Sequence, residues 1–112
     1  MQWTVDFYKT DETSPIDEWL STLDQTARTK LLRNISLLKE YGLELRIPYV
    51  RTIGKKLYEV RAKDTKGIYR LLYFAYTRRT FIMLHGFTKK TEKTPTKEIE
   101  LAMKRMKEVI DG

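Results

Sequence analysis

The sequence predicts an α+β domain in which a helical hairpin and a C-terminal helix pack against a small, mainly antiparallel sheet. Residues 57–63 alternate strictly between apolar and polar side chains, as a half-buried strand does. Three other segments carry apolar residues at the three- and four-residue spacing of a helix. With 112 residues, the chain is expected to form one domain spanning residues 1–112, in the order β-α-α-β-β-β-α.

The N-terminal half predicts one strand and two helices. Residues 2–8 alternate apolar and polar side chains, which indicates a short strand. Ser14 and Pro15 are the residue types preferred at the N-cap and first position of a helix. Asp24 is suited to cap a second helix, and Gly42 to end it. The short link between the helices predicts an antiparallel hairpin.

The C-terminal half predicts three strands and a last helix. Residues 43–56 show no clean period and are predicted to be a long, basic connecting loop. Strands are expected over residues 57–63, 68–76 and 81–87, because short polar turns separate these apolar runs. After Pro95 the apolar spacing becomes helical again.

Composition excludes several classes of site. The chain has no cysteine and a single histidine, so disulfides, thiolate metal sites and cysteine nucleophiles are excluded, and we expect no metal and no cofactor. The longest apolar run, residues 71–76, is too short for a membrane helix, and the N-terminus lacks the pattern of a signal peptide. The expected location is the cytoplasm, without membrane association.

Charge is distributed unevenly along the chain. Lysine and arginine number 22 against 15 acidic residues, a net charge of +7. Residues 1–45 contain 5 basic and 8 acidic side chains, whereas residues 46–97 contain 14 basic and 3 acidic ones. This asymmetry is consistent with a nucleic acid partner, an acidic protein segment, or a soluble protein that is merely basic.

The two short turns predict how the last three strands pair. If both close hairpins of even length, Arg61 lies opposite Arg70, and both Glu59 and His85 lie opposite Leu72. Glu59, Arg61, Arg70 and His85 then share one open sheet face. The residues expected on the other face, toward the helices, are Tyr58, Val60, Leu71 and Leu84.

This expected cluster has two interpretations. Arg70 is the only charge in an otherwise apolar strand, so it either pairs diagonally with Glu59 or forms an anion site with Arg61. His85 is either a structural residue or a proton-transfer group, since histidine is the side chain that titrates nearest neutrality.

Several segments of the chain match a known family. They are Phe7-Tyr8, Ser14-Pro15, Leu57-Tyr58-Glu59-Val60-Arg61, Tyr69-Arg70-Leu71-Leu72-Tyr73-Phe74, Leu84-His85-Gly86-Phe87-Thr88-Lys89-Lys90 and Thr94-Pro95. With these segments, nearly the whole chain resembles the RelE/ParE toxin superfamily, in particular its HigB-like, phage-related branch. The fold expected from periodicity agrees with the fold of that family.

The resemblance implies a function. It implies the toxin of a type II toxin–antitoxin system, a metal-independent endoribonuclease that cleaves mRNA on the ribosome by attack of a ribose 2′-OH. Arg70 corresponds to the family's central-strand arginine, whereas Glu59 and Arg61 stand where the RelE branch has lysines. The expected catalytic residues are Glu59, Arg61, Arg70, His85, Lys89 and Lys90, with His85 or Glu59 as the general base. The expected RNA-binding residues are Arg46, Arg51, Lys55, Lys56, Lys63 and Lys93.

The resemblance also implies partners and an alternative. A cognate antitoxin of helix-turn-helix, HigA-like type is expected, together with mRNA and the ribosome, and DNA would be contacted only through the antitoxin. The ParE branch shares the fold but inhibits DNA gyrase without cleaving RNA, and fold alone does not distinguish the two. A simple basic nucleic-acid-binding module is a further alternative.

Overall fold

Five strands form one sheet in the order β1-β5-β4-β3-β2. The computed structural model describes residues 2–112. β1 runs parallel to β5, and all other neighbouring strands are antiparallel. The elements are β1 (Thr4–Phe7), α1 (Pro15–Thr22), α2 (Gln25–Tyr41), a 3-10 turn (Gly42–Glu44), β2 (Val50–Gly54), β3 (Leu57–Asp64), β4 (Gly67–Ala75), β5 (Thr80–Lys89) and α3 (Thr96–Asp111). The predicted α+β fold class is confirmed.

The predicted helix boundaries in the N-terminal half are confirmed. Ser14 Oγ accepts a hydrogen bond from the Asp17 amide at 3.3 Å and donates one to the Tyr8 carbonyl at 3.1 Å. Asp24 caps α2, and Gly42 ends it at φ +58°, where a Cβ would lie 2.4 Å from the Trp3 indole. No helix in the described part of the chain is long and apolar enough to cross a bilayer.

The prediction of an irregular loop over residues 43–56 is wrong. This segment begins with the 3-10 turn and then forms β2, which pairs antiparallel with β3 and carries an irregularity between Thr52 and Gly54. β2 is an edge strand with mostly exposed side chains, so its own apolar pattern is weak. Its conformation comes from hydrogen bonding to β3, which the local sequence does not reveal.

Helices cover both faces of the sheet. α1 and α2 pack on one face, around Leu31, Leu71 and Tyr73. α3 packs on the opposite face through Ala102 and Met106. The face predicted to be open is therefore covered over part of its area, and α3 lies apart from the helical hairpin.

A β-bulge sets the register of β5. Arg61 pairs with Arg70, and Leu72 pairs with His85, as predicted. Nearer the turn, however, Tyr73 pairs with Met83, which leaves Leu84 as an extra residue. The prediction that Leu84 shares a face with Tyr58, Val60 and Leu71 is wrong, because the bulge turns it toward α3, on the opposite face.

Candidate functional site

A buried ion pair lies on β3, on the α3 side of the sheet. The Glu59 side chain is 0% exposed and that of Arg61 is 7% exposed. Arg61 Nε and Nη2 donate to Glu59 Oε1 at 3.1 and 2.9 Å. Thr94 Oγ1 donates to Glu59 Oε2 at 2.8 Å. Both carboxylate oxygens are therefore engaged, which a buried charge requires.

The backbone around Arg61 is held on two sides. Its amide donates to the Tyr49 carbonyl at 3.0 Å. Its carbonyl accepts from Asn34 Nδ2, on α2, at 2.7 Å. The segment preceding β2 and the second helix therefore both fix where this guanidinium lies.

Arg70 lies on the central strand β4, beside this pair, and its residue is 0% exposed. None of its three guanidinium nitrogens has a hydrogen-bond partner among residues 2–112. Its guanidinium carbon is 5.8 Å from the centroid of the Phe87 ring. Burial lowers the pKa of Arg70, and the nearby Glu59 carboxylate opposes that shift. The alternative of a Glu59–Arg70 ion pair is wrong, because Glu59 is bonded to Arg61 and Thr94 instead.

Glu92 is a member of the site that sequence reasoning missed. Its Oε1 accepts from Arg61 Nη1 at 3.1 Å and from Arg51 Nη2 at 3.3 Å, and its Oε2 lies 3.5 Å from Lys63 Nζ. The Arg61 guanidinium hydrogen-bonded to it lowers the pKa of Glu92. The available signal was that Glu92 is the only acidic residue in the segment 88–93.

His85 lies on the predicted face but has a different partner. Its Nε2 is 2.7 Å from Glu98 Oε1, in the first turn of α3. Because a carboxylate only accepts, we assign a proton to Nε2. The imidazole stacks on Phe87, with ring centroids 5.5 Å apart. The Phe87 ring therefore lies between the guanidinium of Arg70 and the imidazole of His85 in the chain of ring contacts.

The remaining predicted residues divide into three groups. Arg51 and Lys63 join the site through Glu92. Arg46 donates to the Leu43 carbonyl within its own segment, at 3.0 Å. Those outside the ion-pair network are half-buried Lys89 and exposed Lys90 at the end of β5, exposed Lys93, and exposed Lys55 and Lys56 in the β2–β3 turn.

The network can hold an anion beside a proton acceptor. Arg51, Arg61 and Lys63 converge on one carboxylate oxygen pair, and guanidinium groups bind phosphate with the same geometry. Glu59 lies next to Arg61 and supplies a carboxylate. This combination suits phosphoryl chemistry in which charge develops on phosphate oxygens.

Known structures share this architecture. The fold matches that of Escherichia coli toxin RelE, solved in the free state as a mutant with two arginines replaced by alanine. The TM-score is 0.64 at 23% identity, over 95% of this chain and 99% of the other. At this identity the likeness establishes the fold, and the predicted RelE-like architecture is confirmed.

The family follows from the sequence itself. The model of the phage-derived Gp49-like proteins (DUF891) matches residues 18–107, so this chain belongs to the Gp49-like family. No functionally curated protein matches it. The assignment to a HigB-like branch stays a prediction.

Proposed function

We propose that this protein is the toxin of a type II toxin–antitoxin system and cleaves mRNA on the ribosome, in the cytoplasm, as a metal-independent endoribonuclease. The observation that carries the proposal is Arg70, a fully buried guanidinium without a hydrogen-bond partner among the described residues. An unpaired buried charge costs several kcal/mol, roughly, in a folded protein. Such a cost is typical of a side chain retained for a ligand rather than for stability.

The chemistry matches the groups around Arg70. A ribose 2′-OH attacks the adjacent phosphate and gives a 2′,3′-cyclic phosphate and a free 5′-OH. Arg61 stabilises charge on the phosphoryl oxygens, Arg70 joins it once RNA binding exposes its buried guanidinium, and Lys89 and Lys90 add positive charge at the end of β5. No step of this scheme requires a metal ion.

Glu59 is the better candidate for the general base. It lies beside Arg61, where the phosphate would bind, and its Oε2 is held only by the Thr94 hydroxyl. His85 Nε2 is already hydrogen-bonded to Glu98, which leaves Nδ1 as the ring nitrogen that can accept a proton; Glu59 is preferred because its carboxylate is bonded directly to Arg61. His85 then acts as a positioning residue, because it packs on the Phe87 ring that lies beside the Arg70 guanidinium.

An antitoxin partner follows from the same charges. We expect a helix-turn-helix, HigA-like antitoxin whose acidic segment covers the basic region of residues 46–97, blocks RNA, and reduces repulsion among the exposed cations. DNA would then be contacted through the antitoxin.

Primer extension on a translated mRNA tests the proposal. The wild-type chain should produce new 5′ ends within the reading frame, and these should disappear when the start codon of the reporter is removed. Arg70→Ala should abolish the cuts. Arg33→Ala, which removes an exposed arginine on α2, should leave them unchanged.

Two other results would contradict the proposal. Intact message together with a DNA-damage response would favour gyrase inhibition, the activity of the ParE branch. Intact message with RNA or DNA binding alone would favour a basic nucleic-acid-binding module.

A further inference from the structure

A cleft of about 250 Å³ opens beside the Glu92 network. Its polar side contains the cations that hold Glu92, and its other wall contains Ile47, Pro48 and Tyr49. Ile47 is 71% exposed and Tyr49 is 37% exposed. A cleft of this size is smaller than the usual pocket for a drug-sized ligand, and it suits a single planar ring.

Three cations beside the cleft surround the Glu92 carboxylate. Arg61 commits Nε and Nη2 to Glu59, which leaves Nη1 to face the cleft and contact Glu92. Arg51 and Lys63 approach the same carboxylate. The cations are therefore arranged around one shared anion, which in the free chain is the Glu92 carboxylate.

Glu92 is exposed enough for a ligand to displace its side chain. Its side chain is 55% exposed and lies on the irregular segment between β5 and α3. Its ion pairs with Arg51 and Lys63 join exposed groups and contribute little to stability, so the contact with the buried Arg61 is its main attachment. When Glu92 leaves, the cations Arg51, Arg61, Lys63 and Arg70 face Glu59 alone, which raises the net charge of the site from +2 to +3.

We propose that this cleft is a nucleotide subsite, in which an RNA phosphate replaces the Glu92 carboxylate and the neighbouring base packs against Tyr49 and Ile47. The proposal names the ligand position of the proposed ribonuclease and rests on that function. Stacking of a base on an aromatic ring tolerates any base, so this subsite orients the strand without selecting a sequence.

Binding without cleavage tests the subsite separately from the activity. Inorganic phosphate and adenosine 5′-monophosphate are titrated into the full-length protein, and dissociation constants are read from backbone amide NMR shifts. Glu92→Gln should bind phosphate about three- to tenfold more tightly than wild type, because the competing anion is gone. Glu100→Gln, on the exposed surface of α3, makes the same change in net charge and should have a much smaller effect.

Tyr49→Ala tests the base-binding wall. It should weaken adenosine 5′-monophosphate about fivefold or more while leaving inorganic phosphate unchanged. Thermal unfolding of each variant confirms that it is folded.

Two outcomes overturn the subsite. If Glu92→Gln and Glu100→Gln raise phosphate affinity equally, or if Glu92→Gln only lowers thermal stability, Glu92 does not hold a ligand position. If Tyr49→Ala weakens both ligands alike, no base binds there. Neither result bears on whether the wild-type chain cuts mRNA, so loss of the subsite and loss of the proposed activity remain distinguishable.

Discussion

Two halves of the same sheet face are equally buried but chemically opposite. Under α3 the sheet presents Leu72, Phe74 and Leu84, which pack against Ala102 and Met106. Beyond the start of α3 it presents a second set that is just as inaccessible: Glu59, Arg61 and Arg70. A helix covers the first half, whereas the irregular segment containing Glu92 and Thr94 contacts the second.

The difference sets the half that stabilises the fold apart from the half that is proposed to bind a ligand. Burying a large apolar side chain contributes about 1.5–3 kcal/mol, so the half beneath α3 anchors that helix. A buried ion pair at best roughly offsets its own desolvation, and an unpaired cation such as Arg70 does not. The charged half therefore holds side chains that the fold tolerates, which agrees with its proposed role in binding an anionic ligand.

The largest loss of stability is expected from a substitution inside the charged half. Glu59→Ala removes the buried carboxylate that pairs with Arg61, leaves Glu92 as the remaining carboxylate partner of that arginine, and should lower the free energy of unfolding by about 3–5 kcal/mol. Urea denaturation measures it, with Glu40→Ala on the exposed face of α2 as the matched control. A loss below that of an ordinary surface substitution would mean that this pair is not buried in solution.

The apolar half should respond nearly as strongly. Leu72→Ala removes a fully buried side chain from the contact with α3 and should cost about 2–5 kcal/mol of unfolding free energy. The same urea titration measures it. Activity per folded molecule should stay close to wild type, and a selective loss of activity would show that the two halves are coupled.

Replacing Arg70 should have the reverse effect of Leu72→Ala, with activity lost and stability kept. Arg70→Ala should reduce single-turnover cleavage about 10²–10³-fold, equivalent to roughly 2–4 kcal/mol of transition-state stabilisation, while the protein stays folded. Arg70→Lys should be nearly as damaging, because the guanidinium fork is lost. A folded Arg70→Ala protein that inhibits growth as strongly as wild type would show that the site assignment is wrong.

Arg70→Met should stabilise the protein, in contrast to Leu72→Ala in the apolar half. It fills the same space without a charge and should raise the free energy of unfolding by about 1 kcal/mol, since an unpaired buried cation is removed. Urea denaturation is again the measurement. A clear loss of stability would indicate that Arg70 has a structural partner in solution.

His85→Gln should have the smallest effect. The glutamine amide can still donate to Glu98, so cleavage should stay within a few-fold of wild type, with an unchanged acid limb in its pH profile. Single-turnover rates between pH 5 and 8 measure this. Disappearance of the acid limb in this variant would identify His85, and not Glu59, as the general base.

The sequence predicts the inner part of the sheet better than its surroundings. The pairing of Arg61 with Arg70 follows from the short turn between an alternating strand and an apolar strand, so the sequence alone predicts it. Strand β2 could not be predicted in this way, because its conformation depends on pairing with β3. Glu92 and Glu98 reach their partners through tertiary packing of the chain after β5, and no local period encodes such contacts.

The bulge at Leu84 gives β5 one spare residue. A chain lacking Leu84 can pair as a regular strand, with His85 still opposite Leu72 and Phe87 still opposite Arg70. It would lose the Leu84 carbonyl, which accepts from Arg105 of α3 at 2.8 Å. A single-codon deletion there should therefore loosen the attachment of the last helix and leave the order of side chains along the charged half intact.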